Sequence, residues 1–248
     1  MWDDDVAVIS VGAGPGGLAY AAATADAGLD ALIATPPRAD GAQAQDTGRS
    51  WLPVLGDPVT DEYLAELATG AISPAAPATS DLVVRTLHTP PRQRSRKPVV
   101  ETFVGSRLPV WAGACLASPF GAVVTTVDHW PATRLTANGL SVGVAPIGAP
   151  DGSSLSDWLA EAVREREISV LDDATLQRLV FEDGRVVGAV FDTPEGDWAV
   201  QATHGVALAP TGATPTEPVP SGGELALVGL AGSRFVRLEL VHTEAAPD

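Results

Sequence analysis

The chain has 248 residues, 45% apolar and 19% charged, with 25 glycines and 21 prolines that together make up under a fifth of it. That is below the roughly 25–30% of proline plus glycine that marks low complexity, and the apolar fraction suffices for a core, so one globular domain over residues 1–248 is expected. The formal charge of −16 repels phosphate backbones and anionic headgroups, which excludes nucleic acid and membrane surfaces as default partners.

Val6 to Val11 is a continuous apolar run, the pattern of a strand buried on both faces of a parallel sheet. Gly12-Ala13-Gly14-Pro15-Gly16-Gly17 follows at once, and the Ala-rich stretch Leu18 to Ala27 predicts a helix that Gly28 ends. Ala31 to Ala34 is the second strand. The 20 uncharged residues from Val6 to Ala25 are not a signal peptide or a spanning helix: Asp3, Asp4 and Asp5 stand in place of a basic flank, and the Gly-Pro-Gly-Gly turn breaks the run. A soluble protein is expected.

From Pro36 to about Pro150 periodicity fades and prolines recur, which predicts loops with short helices, among them Thr60 to Ala68 with Thr60 as N-cap. Ala71 to Ser80 is expected to be exposed, and Arg92, Arg94, Arg96 and Lys97 read as a solvated charged loop. Asp128-His129-Trp130 reads as a surface turn, since adjacent residues rarely face each other on regular structure. Cys115, the one cysteine, allows no intrachain disulfide and reads as a small buried hydrophobe; with four scattered histidines it forms no metal cluster, and a reducing cytoplasm fits.

Order returns at Ser154, where Ser-Leu-Ser-Asp starts a helix running to about Glu165 with Leu155, Leu159, Ala162 and Val163 on one face. A strand follows at Ile168 to Leu171. Leu176–Phe181, Arg185–Asp192 and Trp198–Ala202 predict three antiparallel strands, turned at Asp183-Gly184 and Pro194-Glu195-Gly196, and Gly205 to Ala209 predicts one more buried strand.

Gly12, Gly14 and Gly17 make the pattern G-x-G-x-x-G between a strand and a helix. In dinucleotide-binding folds the first glycine permits the turn, the second lets a pyrophosphate approach the backbone, and the third allows close helix–strand packing. The acid that binds the ribose in such folds belongs at the end of the second strand, and Thr35 stands there instead. Its hydroxyl still suits a sugar; nearby Arg38 suits a 2′-phosphate, as in NADP sites.

Residues 6–34, Leu176 to Gly212 and the tail Gly222 to Val241 resemble the FAD-binding part of the fumarate reductase/succinate dehydrogenase and 3-ketosteroid dehydrogenase flavoproteins. Val100 to Val127 is similar to a stretch of the ketosteroid branch. The resemblance implies an α/β, Rossmann-like FAD/NAD(P)-binding domain with a parallel sheet, a three-stranded antiparallel meander and an irregular insertion. Residues 1–35 and 151–248 would form the dinucleotide-binding core and 36–150 a loop-rich insertion. It implies FAD as cofactor, with the pyrophosphate on Gly12, Ala13, Gly14, Pro15, Gly16 and Gly17 and the ribose near Thr35. It further implies the flavin ring near Thr47, Gly48, Arg49 and Ser50, and contacts from Leu176, Thr211 and Gly212.

The departures are specific. Ala209-Pro210-Thr211-Gly212-Ala213 replaces the family's Ala-Thr-Gly-Gly, and the added proline removes a backbone donor where the chain should pass the cofactor. After Leu238-Glu239 the family's glutamine-x-histidine is replaced by Val241-His242-Thr243-Glu244. In relatives a catalytic capping domain begins at about that point, and by the resemblance this chain is expected to be the flavin-binding half without it. A partner chain supplying that half is therefore expected, with no catalytic residue assignable in this one. The alternative is a degenerate, non-catalytic scaffold or regulatory subunit with the same fold.

Overall fold

The computed structural model describes residues 1–37, 51–72, 82–89, 105–126, 133–137, 140–211 and 218–244. In chain order these form β1 (Asp4–Val11), α1 (Pro15–Asp26), β2 (Ala31–Ala34), α2 (Pro58–Ala68), β3 (Val84–His88), α3 (Leu108–Leu116), β4 (Gly121–Val124), β5 (Thr133–Ala137) and β6 (Leu140–Gly148). The second half adds α4 (Leu155–Glu165), β7 (Ser169–Leu171), β8 (Thr175–Glu182), β9 (Arg185–Thr193), β10 (Gly196–Leu208), β11 (Glu224–Leu230) and β12 (Phe235–Glu244). Among the described residues no helix is long and apolar enough to cross a membrane.

Four parallel strands, in the order β10-β1-β2-β7, carry the nucleotide-binding topology. Consecutive residues of β1 enter different cores. Ile9 packs with Leu32, Leu208 and the helices α2 and α3, while Val8 packs with Ala19, Tyr20, Ala207 and Leu159 on the side of α1 and α4. An apolar run with no polar alternation is what two covered faces demand. Helix α1 is buried nearly all round, and its alanines let it lie close on the sheet. Burial pushes the Tyr20 phenol up to about 12.

Among its described residues the segment 36–150, expected as loops with short helices, holds two helices and also four strands. Three of these strands join the C-terminal hairpin. β11 pairs with β6, β6 with β5, β5 with β3, β3 with β12, and β12 with β11, which closes a ring of five strands. Each of the five pairs on both sides, although among the described residues the β3–β5 seam rests on the one pair His88–Thr136. The fourth strand, β4, runs antiparallel to both β12 and β10 and fuses the ring to the parallel sheet.

Two further expectations shift. Helix α2 is capped by Asp57, whose carboxylate accepts from the Thr60 amide at 2.9 Å and the Thr60 hydroxyl at 2.6 Å. Those bonds hold the Asp57 carboxyl below its ordinary value. Thr60, buried, instead accepts from the Leu179 amide at 3.0 Å and ties α2 to β8. Trp198–Ala202 and Gly205–Ala209 are not two strands but parts of the single strand β10, which serves both the meander β8-β9-β10 and the parallel sheet. Helix α4 starts as its sequence predicts: the Ser154 hydroxyl accepts from the Asp157 amide at 3.1 Å.

Glu239 on β12 has no exposed surface, and it is held by Arg85 from β3 and Arg237 from β12. Arg85 Nη2 and Arg237 Nε each donate to Oε1 at 2.9 Å. The Trp111 ring of α3 lies against both guanidinium groups, 5.8 and 5.1 Å from their central carbons. Removing the carboxylate would leave two arginines facing each other in a partly dry setting. We expect Glu239→Ala to lower the unfolding free energy by about 3–5 kcal/mol, measured by urea denaturation, with Glu239→Gln falling between it and the parent. A loss below about 1 kcal/mol would mean that the ring does not depend on this cluster.

Candidate functional site

The carboxyl end of β1 runs straight into the glycine turn. Gly12 takes φ +98°, a left-handed conformation that glycine adopts without strain, and its amide donates to the Ala34 carbonyl of β2 at 3.0 Å. Gly14 is the N-cap of α1, in extended backbone, and Pro15 occupies the first helical position where a missing N–H costs nothing. The buried Ser10 hydroxyl donates to the Gly17 carbonyl at 2.9 Å and pins the first turn to the strand. Among the described residues no side chain caps this helix or α3, whereas Asp57 caps α2 and Ser154 caps α4. In the first turn of α1 Pro15 has no N–H and the Gly17 amide donates to the Gly14 carbonyl at 3.0 Å, which leaves the Gly16 amide and the positive end of the helix dipole to face an anion.

Close packing explains the glycines on the inner side. A Cβ at position 12 would lie 2.3 Å from the Ala209 carbonyl oxygen, and at position 14, 2.1 Å from that of Pro210. At positions 16 and 17 it would lie 2.4 Å from the Gly121 oxygen and 2.2 Å from the Gly12 oxygen. Each glycine is therefore required by a contact within the protein, whether or not a ligand binds. Glycine content alone does not imply a ligand, and the turn itself is buried except for the half-buried Ala13. Pro210, conspicuous in the sequence, is the residue whose carbonyl rests on Gly14.

Thr35 stands at the carboxyl end of β2, half-buried, as its position predicts. Its hydroxyl donates to Asp172 Oδ1 at 3.0 Å. Asp172 directly follows β7, the parallel neighbour of β2, and is exposed. This carboxylate escaped notice in the sequence, although an acid one residue past a predicted parallel strand was the available signal. Leu176, at the start of β8, is buried and commits its side chain to the core on the side of Leu32 and Ala34. Thr211, just past β10, is exposed. Arg38, Thr47, Gly48, Arg49, Ser50 and Gly212 lie outside the described residues, as do the 92–97 basic stretch and Asp128 to Trp130.

The structure thus brings together the glycine turn, Thr35 and Asp172 at the ends of three adjacent parallel strands. Trp51, next to the predicted ring-side loop, donates from Nε1 to the Cys115 carbonyl at 3.2 Å, and Trp111 donates to the Phe235 carbonyl at 2.8 Å; both fill core positions. Cys115 is buried, as expected, and burial pushes its thiol well above the ordinary range, so it is no nucleophile. A groove of about 400 Å³ lined by Thr126, Glu182, Arg185, Gln201 and Thr203 holds none of the sequence-predicted site residues.

Parallel strands with a glycine turn opening a helix at the carboxyl end of the first, and a second strand ending beside it, define a Rossmann-like dinucleotide-binding domain. The family model described as FAD binding domain matches residues 5–234, and the chain belongs to that family. FAD is the cofactor that this membership supports. Among solved structures the chain is similar to the 3-ketosteroid-Δ4-(5α)-dehydrogenase of Rhodococcus jostii RHA1, at 18% identity and TM-score 0.38, covering 84% of this chain and 46% of that one. It is also similar to the open conformation of a flavocytochrome c3 fumarate reductase, at 17% identity and TM-score 0.34, covering 81% and 33%. A third is aklavinone-11 hydroxylase, at 20% identity and TM-score 0.32, covering 82% and 32%. The chain spans less than half the length of each, and likenesses this distant carry no argument about activity. No curated protein matches.

The packing account of the turn is separable from any ligand. Gly14→Ala and Gly17→Ala are each expected to lower stability by roughly 1–3 kcal/mol or more with no nucleotide present, because backbone must shift. Gly28→Ala, where φ is +77° but nothing lies within 4 Å, should cost only about 1 kcal/mol. Thermal denaturation of the three variants checks the order; equal losses would show that the inner contacts are slack.

Proposed function

We propose that this chain is the FAD-binding part of a flavin-dependent oxidoreductase. The observation that carries the reading is the uncapped start of α1 at the carboxyl end of β1, with the end of β2 beside it, in a chain matched by the FAD-binding family over residues 5–234. The start of α1, with the Gly16 amide, would face the diphosphate, and Thr35 would lie against the adenosine ribose. The resemblance puts Thr47, Gly48, Arg49 and Ser50 by the flavin ring, with Leu176, Thr211 and Gly212 in supporting contact. When bound, FAD supplies hydride exchange with an organic substrate, and the protein's part is to hold and orient it.

The substrate class proposed is steroid-like or dicarboxylate, as the sequence resemblance to the ketosteroid dehydrogenase and fumarate reductase flavoproteins implies. Groups that protonate or position substrate would come from polypeptide beyond this stretch, which we assign to a partner chain. A cytoplasmic setting fits a chain whose one thiol is buried.

A second reading is favoured by one observation: the Pro210 carbonyl rests on Gly14, so the turn is complete without a ligand. On that reading the domain is a scaffold or regulatory subunit that keeps the fold. The two differ in colour. The first expects purified protein that is yellow, or that takes up added FAD with quenching of flavin fluorescence. Colourless protein that leaves FAD fluorescence unchanged at a large excess of protein would overturn it in favour of the second.

A further inference from the structure

In dinucleotide-binding folds the ribose hydroxyls are held by an acid at the end of the second strand. Here that position is Thr35, whose hydroxyl can accept or donate but carries no charge. What the strand lacks, its neighbour offers. Asp172 leaves the end of β7, and its Oδ1 lies 3.0 Å from the Thr35 hydroxyl. The backbone fixes the two residues to each other: the Thr35 amide donates to the Leu171 carbonyl at 2.9 Å, and the Ala174 amide donates to the Thr35 carbonyl at 2.8 Å. Asp173 takes φ +53°, a left-handed turn at which the chain leaves the sheet end.

The pair is built to leave capacity over. An ionised carboxylate has about four acceptor sites, and Thr35 is the one side-chain partner of Asp172 among the described residues. Asp172 is exposed, at the carboxyl ends of the parallel strands and two strands along from β1, which carries the glycine turn. Ligands of open α/β sheets bind in the crevice outside those strand ends.

We propose that Asp172 is the ribose-binding acid of this chain, supplied from β7 in place of β2, with Thr35 as the positioning residue that aims it. The inference rests on the FAD-binding reading above and names a residue specific to this chain. It also fixes a preference: a carboxylate at this point accepts from a free 2′-hydroxyl and repels a 2′-phosphate. The site is therefore one for FAD or another unphosphorylated adenine dinucleotide, and the use of Arg38 for NADP is disfavoured.

Calorimetric titration of the full chain, stripped of any bound nucleotide, with FAD, ADP, 2′-deoxy-ADP and adenosine 2′,5′-bisphosphate tests this without any turnover. The parent should bind ADP about tenfold to a hundredfold more tightly than 2′-deoxy-ADP, the range expected of a hydrogen bond to a charged group. It should bind the 2′-phosphate analogue more weakly still. Asp172→Ala should bring the ratio of ADP to 2′-deoxy-ADP close to one, and Asp172→Asn should restore affinity for the 2′-phosphate analogue. Circular dichroism and the melting temperature establish that each variant is folded, and if the alanine variant is not, the ratio in the asparagine variant decides. Retention of the parent's 2′-hydroxyl preference in a folded Asp172 variant overturns the proposal and leaves the FAD reading standing. If the parent binds neither FAD nor ADP, both fall.

Discussion

The structure depends on backbone packed directly on backbone around one turn. At positions 12, 14, 16 and 17 the space a Cβ would need is taken by carbonyl oxygens of Ala209, Pro210, Gly121 and Gly12. Those four contacts join the start of α1 to the end of β10 on one side and to the start of β4 on another. A side chain at any of them would force backbone apart, since a Cβ 2.1–2.4 Å from a carbonyl oxygen lies well inside van der Waals contact. Everything that places a candidate site follows from this seam: the helix start faces the ends of the parallel strands because β1 and α1 cannot separate there.

The same seam decides how the two halves of the molecule meet. β4 begins at Gly121, whose oxygen touches the Gly16 position, and then pairs antiparallel with both β10 and β12. The five-stranded ring is thereby attached at the glycine turn and not at a remote edge. Within the ring, Glu239 and its two arginines occupy the side facing Trp111 and the buried Cys115, while Leu238 and Leu240 fill the other. A buried carboxylate with two cations pays its desolvation only if every hydrogen bond is made. Here the Arg85 and Arg237 forks supply them, one from each of two paired strands.

Local pattern made the β1-α1-β2 unit, α4, β7 and the hairpin β8-β9 legible, and topology hid the ring. The β1-turn-α1-β2 unit could be read because an uninterrupted apolar run, a glycine turn and an alanine-rich stretch each have one good solution. The turn at Asp183-Gly184 could be read for a similar reason, since both residues take positive φ, as a two-residue hairpin requires. Strand β10 was divided in two because Gly205 resembles a break. In the structure it takes φ +118° against the Thr125 and Thr126 hydroxyls, close to the irregularity between Val6 and Val8, and the strand carries on. The ring was invisible because its pairings join residues far apart in sequence. A glutamate in mid-strand also reads as a solvent-facing position until its arginines are brought to it. Thr60 failed as a cap for a smaller reason: Asp57, three residues earlier, is a better acceptor at the helix start.

The two departures from the expected dinucleotide pattern lie on different sides of the turn and pull in different directions. Pro210 sits on the inner side, where its carbonyl fills the face of Gly14 and makes the turn self-sufficient. Asp172 sits beyond the ends of β2 and β7, where it restores the charge that Thr35 lacks. Packing accounts for the glycines and the proline without a ligand, but it does not account for the aspartate. The binding reading rests on the start of α1 at the end of β1 and on the family match, and Asp172 bears only on which nucleotide that site would take.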